Sequence, residues 1–322
     1  MKKPRAFVTG IAGFAGSFLA EELLTAGFDV SGALYPGEST RNIHGIKSTL
    51  NLFTLDILNE KKCHDLICRL KPDYIFHLAA LASVGKSFRM EKETLRVNLE
   101  GTVNILNAAR DAKHLKALLF VSTSEVYGRF RPVNKTLTET QPFEPISPYG
   151  ISKAAAESVC RHYWRQYGVP VVIARAFNHT GPRQTDDFAV PAFARQVAMI
   201  EGGLQKPTLK VGYLSAKRDL SDVRDIVRGY RLAATKGTPG EVYQLCIGKT
   251  VAIRSVVEQL VAMSSRKIRL VVDKSRLRKA EIPVLLGSHR KAVQQLGYEV
   301  RYKLKDTLAD TLDYWRKEIG TG

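Results

Sequence analysis

Two short stretches carry residue types at spacings that can do chemistry. Gly10-Ile11-Ala12-Gly13-Phe14-Ala15-Gly16 follows directly on the apolar run Ala6-Phe7-Val8. Gly10 lets the chain turn sharply, Gly13 keeps a Cβ away from a phosphate, and Gly16 lets a helix pack close to the preceding strand. The helix that opens at Phe14 and Ala15 then offers free N–H groups and a partial positive charge to a dinucleotide pyrophosphate. The second stretch is Tyr149-Gly150-Ile151-Ser152-Lys153. Residues four apart on a helix share a face, so Lys153 is placed beside Tyr149. A phenol ionises near pH ~10, and an adjacent ammonium and an oxidised nicotinamide ring both favour the phenolate. Tyr149 can then give a proton to a substrate oxygen, or take one from it, near neutral pH.

Further candidates stand where predicted strands end. Thr123, in Ser122-Thr123-Ser124-Glu125-Val126-Tyr127-Gly128, can hydrogen-bond a reacting oxygen. Glu125 is either a second acid/base or a loop or helix-capping carboxylate. Asp56 and Ile57 can meet an adenine, while Leu78, Ala79 and Ala80 can line a pyrophosphate and a nicotinamide ribose. The second strand ends Gly32-Ala33-Leu34-Tyr35, leaving no carboxylate to repel a ribose 2′-phosphate. Arg41 either pairs with that phosphate or is an exposed loop arginine. The expected cofactor is NADP(H), with NAD(H) possible.

Such residues need a sheet edge to gather them. Apolar strands are expected at Ala6–Thr9, Val30–Leu34, Asn51–Leu55, Tyr74–Leu78, Ala117–Ser122 and Val169–Ala174, alternating with helices at Gly16–Ala26, Glu60–Leu70, Phe88–Ala112 and Pro148–Tyr167. Short apolar strands alternating with helical patterns force a parallel sheet covered on both faces. The expected fold is therefore α/β, a Rossmann-like doubly wound parallel sheet with a smaller C-terminal substrate-binding lobe. Residues 1–176 form the nucleotide-binding domain, its sheet completed by segments near 222–247, and residues 177–322 are mainly the substrate lobe. In that lobe helices are expected at Ala189–Glu201, Asp222–Thr235 and Leu304–Ile319, and strands at Thr208–Val211 and Val242–Cys246.

Bulk properties narrow the function. A chain of 322 residues fills a sizeable core. Its apolar runs are too short for a signal peptide or a membrane span, which points to the cytoplasm. Cys63, Cys68, Cys160 and Cys246 form no C-x-x-C pair, and with His64 and His162 they lack tetrahedral spacing, so no metal is expected. The formal charge of +18 suits a solvated surface that also attracts an anionic substrate. An RNA-binding role is the remote alternative, and no aromatic-interleaved basic signature accompanies it.

With these residues in hand, the chain resembles an extended short-chain dehydrogenase/reductase of the GDP-mannose branch of nucleotide-sugar enzymes. The likeness spans nearly its full length. It is carried by His77-Leu78-Ala79-Ala80, Asn98 in Val97-Asn98-Leu99-Glu100-Gly101-Thr102, Ser147-Pro148-Tyr149, Arg175 to Arg183, Leu209 to Gly212, Arg218-Asp219, Asp222 to Asp225, and Arg278 to Pro283. The resemblance implies that Asn178, Arg218, Arg278 and Glu281 hold a GDP-sugar, with the arginines on phosphate oxygens and Glu281 on ribose hydroxyls, and that His179 lies close to the nicotinamide. It implies reduction of the C4 ketone of a GDP-4-keto-6-deoxy-hexose, with Tyr149 as proton donor, Lys153 supporting it and Thr123 orienting the oxygen. The alternative is a 4,6-dehydratase with recycled NADP, because Thr123-Ser124-Glu125 matches that activity equally. It also implies a homodimer paired through the helices at Phe88–Ala112 and Pro148–Tyr167.

Overall fold

The computed structural model describes residues 3–129, 135–274 and 282–320. The chain runs β1 (Arg5–Thr9), α1 (Phe14–Thr25), β2 (Asp29–Leu34), β3 (Asn51–Thr54), α2 (Glu60–Leu70), β4 (Tyr74–His77), α3 (Val84–Ser87), α4 (Glu91–Leu95), α5 (Gly101–Asp111), β5 (Ala117–Thr123), α6 (Pro148–Tyr167) and β6 (Val171–Ala176). It continues β7 (Asn178–Thr180), α7 (Ala189–Glu201), β8 (Thr208–Val211), β9 (Lys217–Asp222), α8 (Val223–Lys236), β10 (Val242–Leu245), β11 (Thr250–Ala252) and α9 (Ile253–Ala262). The last elements are β12 (Arg269–Val272), β13 (Val284–Leu285), α10 (Arg290–Leu296) and α11 (Leu304–Ile319).

The main sheet has 7 strands in the order β10-β6-β5-β4-β1-β2-β3, every neighbouring pair parallel. Its central strands are apolar on both faces because both are covered. One core lies under α1, α8 and α10, where Val8, Leu19, Leu23, Ile226, Val227 and Leu296 meet. The other lies under α2, α5 and α6, where Phe7, Ile67, Ile105, Leu118, Phe120 and Cys160 meet. This is the α/β doubly wound sheet expected from the alternation. The strand order reverses between β1 and β4, and a crevice opens there beyond the carboxyl ends of the strands.

A smaller set of elements packs over that crevice. Val190, Phe193, Val197, Leu209, Leu220, Val256, Leu260, Leu308 and Leu312 form its core from α7, β8, β9, α9 and α11. β9 is flanked by β11 and β13 and also pairs with β7, while β12 pairs with β8.

α6 forms where the sequence places its stop and start signals. Ser147 accepts the Gly150 N–H at 3.0 Å, Pro148 occupies the first turn, and Gly168 closes the helix in the left-handed region at φ 67°. The helix expected over Phe88–Ala112 is instead interrupted. Between α4 and α5 the turn Arg96–Glu100 widens to a π-helical one. Asn98 sits in it, accepting the Leu81 N–H at 2.8 Å and donating to the Ser152 hydroxyl at 2.9 Å. A polar side chain tied to two other segments is what displaces the regular ladder here.

Candidate functional site

A cleft of about 910 Å³ lies along the carboxyl edge of the sheet, between it and the smaller lobe. Its floor at one end is the glycine loop. Gly10 has φ +71°, and a Cβ there would stand 3.0 Å from the Ala79 nitrogen, while one on Gly16 would collide with the Gly10 carbonyl. Gly13 caps α1 with no side-chain hydrogen bond, so the N–H groups of the first turn are left for a ligand. The loop is pinned from two sides. Thr9 Oγ1 accepts the N–H groups of Leu78 and Ala79, at 3.2 and 3.1 Å, and bonds His77 Nδ1 at 2.8 Å. Asn42 Nδ2 donates to the Ala12 carbonyl at 3.0 Å. Burial, with the nearby Lys153 ammonium, pushes His77 down to about 3, so it is neutral.

At the other end β5 and α6 bring Thr123, Glu125, Tyr149 and Lys153 to the same cleft. The Tyr149 phenol shares a hydrogen bond with the Thr123 hydroxyl, and burial raises its pKa well above that of a free tyrosine. Lys153 Nζ does not reach that phenol. It donates to the Val121 carbonyl at 2.8 Å, with its ammonium 4.8 Å from the Phe120 ring centroid. Shared helix-face spacing aligns the Cα–Cβ bonds of residues four apart, but the long lysine chain turns down toward β5. Burial lowers Lys153 to about 8.

Gly10, Gly13, Phe14, Ala15, Gly16, Asp56, Ile57, Leu78, Ala79 and Ala80 line the cleft, as do Asn178, His179 and Arg218. The His179 ring stacks on Phe14 at 5.9 Å, its Nδ1 2.9 Å from the Phe177 carbonyl, and burial lowers its pKa. Arg41 is not brought to the cleft. It opens a 3-10 turn, Arg41–Thr49, and its guanidinium pairs with Glu318 of α11. Arg278 and Glu281 lie outside the described residues.

β2 ends at Leu34 without a carboxylate, as expected, but the expectation that no carboxylate is available beyond it needs correction. The chain folds back after β2, Glu38 N–H donating to the Tyr35 carbonyl at 2.9 Å, and Glu38 returns to the cleft wall, its Oε2 accepting the Tyr35 N–H at 2.9 Å. Thr9, Asn42, Glu38 and Tyr230 were not read from sequence as site residues. Only the position of Thr9, last in the first strand before Gly10, gave a signal. Two buried polar atoms at the cleft, Asn178 Oδ1 and the Tyr230 hydroxyl, have no hydrogen-bond partner among the described residues. Groups of three or more potential metal ligands are also absent among them.

Comparisons with known proteins agree on the lineage. The family profile described as GDP-mannose 4,6 dehydratase matches residues 7–311. A GDP-6-deoxy-D-mannose reductase of Pseudomonas aeruginosa is 33% identical over 315 residues, covering 98% of this chain and 98% of that protein. A GDP-mannose 4,6 dehydratase of Homo sapiens is 31% identical over 333 residues, covering 94% of this chain and 89% of its own. Among solved structures, RMD from Pseudomonas aeruginosa complexed with NADPH superposes with a TM-score of 0.83 at 32% identity, covering 98% of this chain and 100% of that one. The UDP-glucose 4-epimerase of Thermotoga maritima with UDP-glucose reaches 0.87 at 28% identity, over 98% and 99% of the two chains. The architecture is thus shared by enzymes of different outcome.

Proposed function

The chain belongs to the GDP-mannose 4,6 dehydratase family, and on that premise we propose that it reduces the C4 ketone of a GDP-4-keto-6-deoxy-hexose at the expense of NADPH. The single observation that carries the reading is the convergence of a glycine cradle and a phenol–hydroxyl pair on one cleft. The cradle is shaped for a dinucleotide: a Cβ at Gly10 or Gly16 would crowd or collide with backbone, and the first turn of α1 is left uncapped. The unpartnered Asn178 Oδ1 and Tyr230 hydroxyl await polar groups of a ligand. The NADPH-bound Pseudomonas aeruginosa relative supports the choice of cofactor, with NADH as a second donor given Glu38 at the cleft wall.

Bound NADPH supplies the hydride. The protein supplies the rest. Tyr149, protonated because burial raises its pKa, delivers the proton to the C4 oxygen as charge develops there. Thr123, already hydrogen-bonded to that phenol, orients the oxygen, and oriented donors count because they act on transition-state charge. Lys153 carries its positive charge against the end of β5 and favours the phenolate once the proton has left. Asn178 and Arg218 contact the nucleotide-sugar, with arginine suited to paired bonds on phosphate; Arg278 and Glu281 complete that set.

A specific observation keeps a second reading alive. Glu125 lines the cleft alongside Thr123 and Tyr149, as a dehydratase would need for removing the C5 proton and expelling water at C6. Glu125→Gln separates the two. The purified variant is given the 4-keto sugar with NADPH, and loss of NADPH absorbance is followed. A reductase retains most of its turnover, whereas a protein that converts GDP-mannose alone and loses that ability on substitution is a dehydratase.

The working unit in this reading is a cytoplasmic homodimer. Ile151 is exposed on α6, and Leu95, Leu99 and Val103 are only half-buried on the neighbouring α4–α5 face. All four cysteines are unpaired, which suits a reducing compartment. Residues 1–176 serve as the nucleotide domain and 177–322 mainly as the sugar-nucleotide lobe.

A further inference from the structure

The phenol of Tyr230 has no part in the proton transfer described above, yet it is fully buried and reaches the wall of the cleft. Its ring is embedded on the α1 side of the sheet with Ala176, Val223, Ile226 and Val227. Its hydroxyl has no hydrogen-bond partner among the described residues. Two other buried phenols are fully partnered, whereas the Tyr298 hydroxyl, which does not line the cleft, also has no partner among the described residues. The Tyr243 hydroxyl accepts the Thr238 N–H and donates to Gln295, and the Tyr127 hydroxyl bonds Arg175, Gln244 and the Thr138 carbonyl. A buried hydroxyl left unpaired is destabilising, a penalty that phenylalanine in the same core would not incur. What sets Tyr230 apart from Tyr298 is its place on the cleft wall, where a ligand can bring the missing partner.

Its place says which part of the ligand. Tyr230 shares the proton-transfer end with Val121, Ala176, Phe177 and Tyr149, and burial together with the nearby Tyr149 phenol raises its pKa, so it remains a neutral donor. The adenosine end, walled by Tyr35 to Glu38 and Asp56 to Leu58, lies at the far strands β2 and β3. Tyr149 and Lys153 come from α6 on one face of the sheet. Tyr230 comes from α8 on the other, beneath β5 and β6. A nicotinamide ring laid between the glycine loop and Tyr149 would cross the sheet edge between these two faces, bringing its polar carboxamide toward the Tyr230 phenol.

We propose that Tyr230 is a cofactor-binding residue whose hydroxyl hydrogen-bonds the carboxamide of the nicotinamide ring, fixing which face of the ring is turned toward Tyr149. The proposal rests on the dinucleotide reading given above. The test uses the full-length Tyr230→Phe protein beside its parent. Dissociation constants are measured by calorimetry for NADPH and for adenosine 2′,5′-bisphosphate, which lacks the nicotinamide, and melting is recorded without nucleotide. The expected result is NADPH binding weakened roughly three- to tenfold, bisphosphate binding unchanged, and a melting temperature equal to or above the parent's because an unpaired buried hydroxyl has gone. Unchanged NADPH affinity overturns the assignment. So does an equal loss for both nucleotides with a lowered melting temperature, which marks a purely structural tyrosine. A parent protein that binds neither nucleotide instead overturns the dinucleotide reading itself.

Discussion

Lys153 and Tyr149 occupy one helix face but meet different surroundings, and burial sets the protonation of both. Burial holds Tyr149 protonated, so removing its hydroxyl removes the proposed acid. Tyr149→Phe is expected to lower kcat by about 10²–10⁴-fold, the usual worth of a positioned acid, with NADPH affinity little changed; stopped-flow turnover beside calorimetry checks both. Lys153 has the opposite burden. Its pKa falls from 10.5 to about 8 on folding, so between those values the unfolded chain binds more protons and stability rises with pH. Below about 8 both states are protonated and its contribution no longer changes. Urea midpoints of the parent and Lys153→Met, compared at pH 7.5 and 10, should show the parent gaining on the variant as pH rises; a constant gap would mean the ammonium is solvated. Gly10, Gly16, Tyr149 and Lys153 were legible in the sequence because local motifs mark them, although the partner of Lys153, the Val121 carbonyl of β5, was not. Tyr230 and Glu38 were not, since one depends on how α8 docks beneath β5 and the other on a backbone reversal after β2.

At the scale of elements, α6 is held by more than its caps. Glu157, one turn beyond Lys153, is fully buried and pairs with Arg175 of β6, Nη2 to Oε2 at 2.7 Å. The Ser122 hydroxyl donates to Glu157, and Arg175 Nη1 donates to the Tyr127 hydroxyl at 2.7 Å. Gln244 of β10 donates to that same hydroxyl at 2.6 Å. The network therefore locks α6, the 3-10 turn Ser124–Tyr127 that carries Glu125, and the three strands β5, β6 and β10 into one arrangement. Glu157→Ala leaves a buried guanidinium uncompensated and is expected to cost about 3–5 kcal/mol in urea unfolding. Glu157→Met with Arg175→Met is expected to cost much less than the sum of the single changes, the signature of a coupled pair. The sequence announced α6 through Ser147, Pro148 and Gly168, but not this partner. The register of β5 against β6 decides which arginine faces Glu157, and register is a long-range property. The same reason hid β7, β9, β11 and β13, whose pairing across the smaller lobe follows no local period.

Across the whole molecule the cleft is bounded by two bodies that meet through an apolar cluster of Val126, Tyr127, Ala154, Phe177, Ile282 and Leu285 and, nearer the mouth, through ion pairs and a ring stack. Lys86 of α3 meets Asp187 at 2.6 Å, Arg183 meets Glu21 at 2.7 Å, and Phe14 stacks on His179. Lys86 is mostly exposed, so its ion pair is worth little and leaves the mouth of the cleft adjustable. The rigid reference for catalysis must come from elsewhere, and the helix carrying Tyr149 offers it. Ile151 lies between Tyr149 and Lys153 in sequence but is 45% exposed, pointing away from the cleft. Beside it α4 packs on α6, and Leu95, Leu99 and Val103 on the neighbouring segment are half-buried; with Ile151 they are the strip proposed for a second copy. If a second copy covers that strip, the dimer braces the catalytic helix from behind. Ile151→Arg costs the single chain little, because the new charge remains in water, but it places two like charges at a self-paired interface. Sedimentation equilibrium should show a parent dimer become monomer, with NADPH affinity kept and kcat reduced because α6 loses its external support. A variant that remains dimeric would place the contact on another face, and a monomer of full activity would show that the Glu157–Arg175 network alone keeps Tyr149 in position.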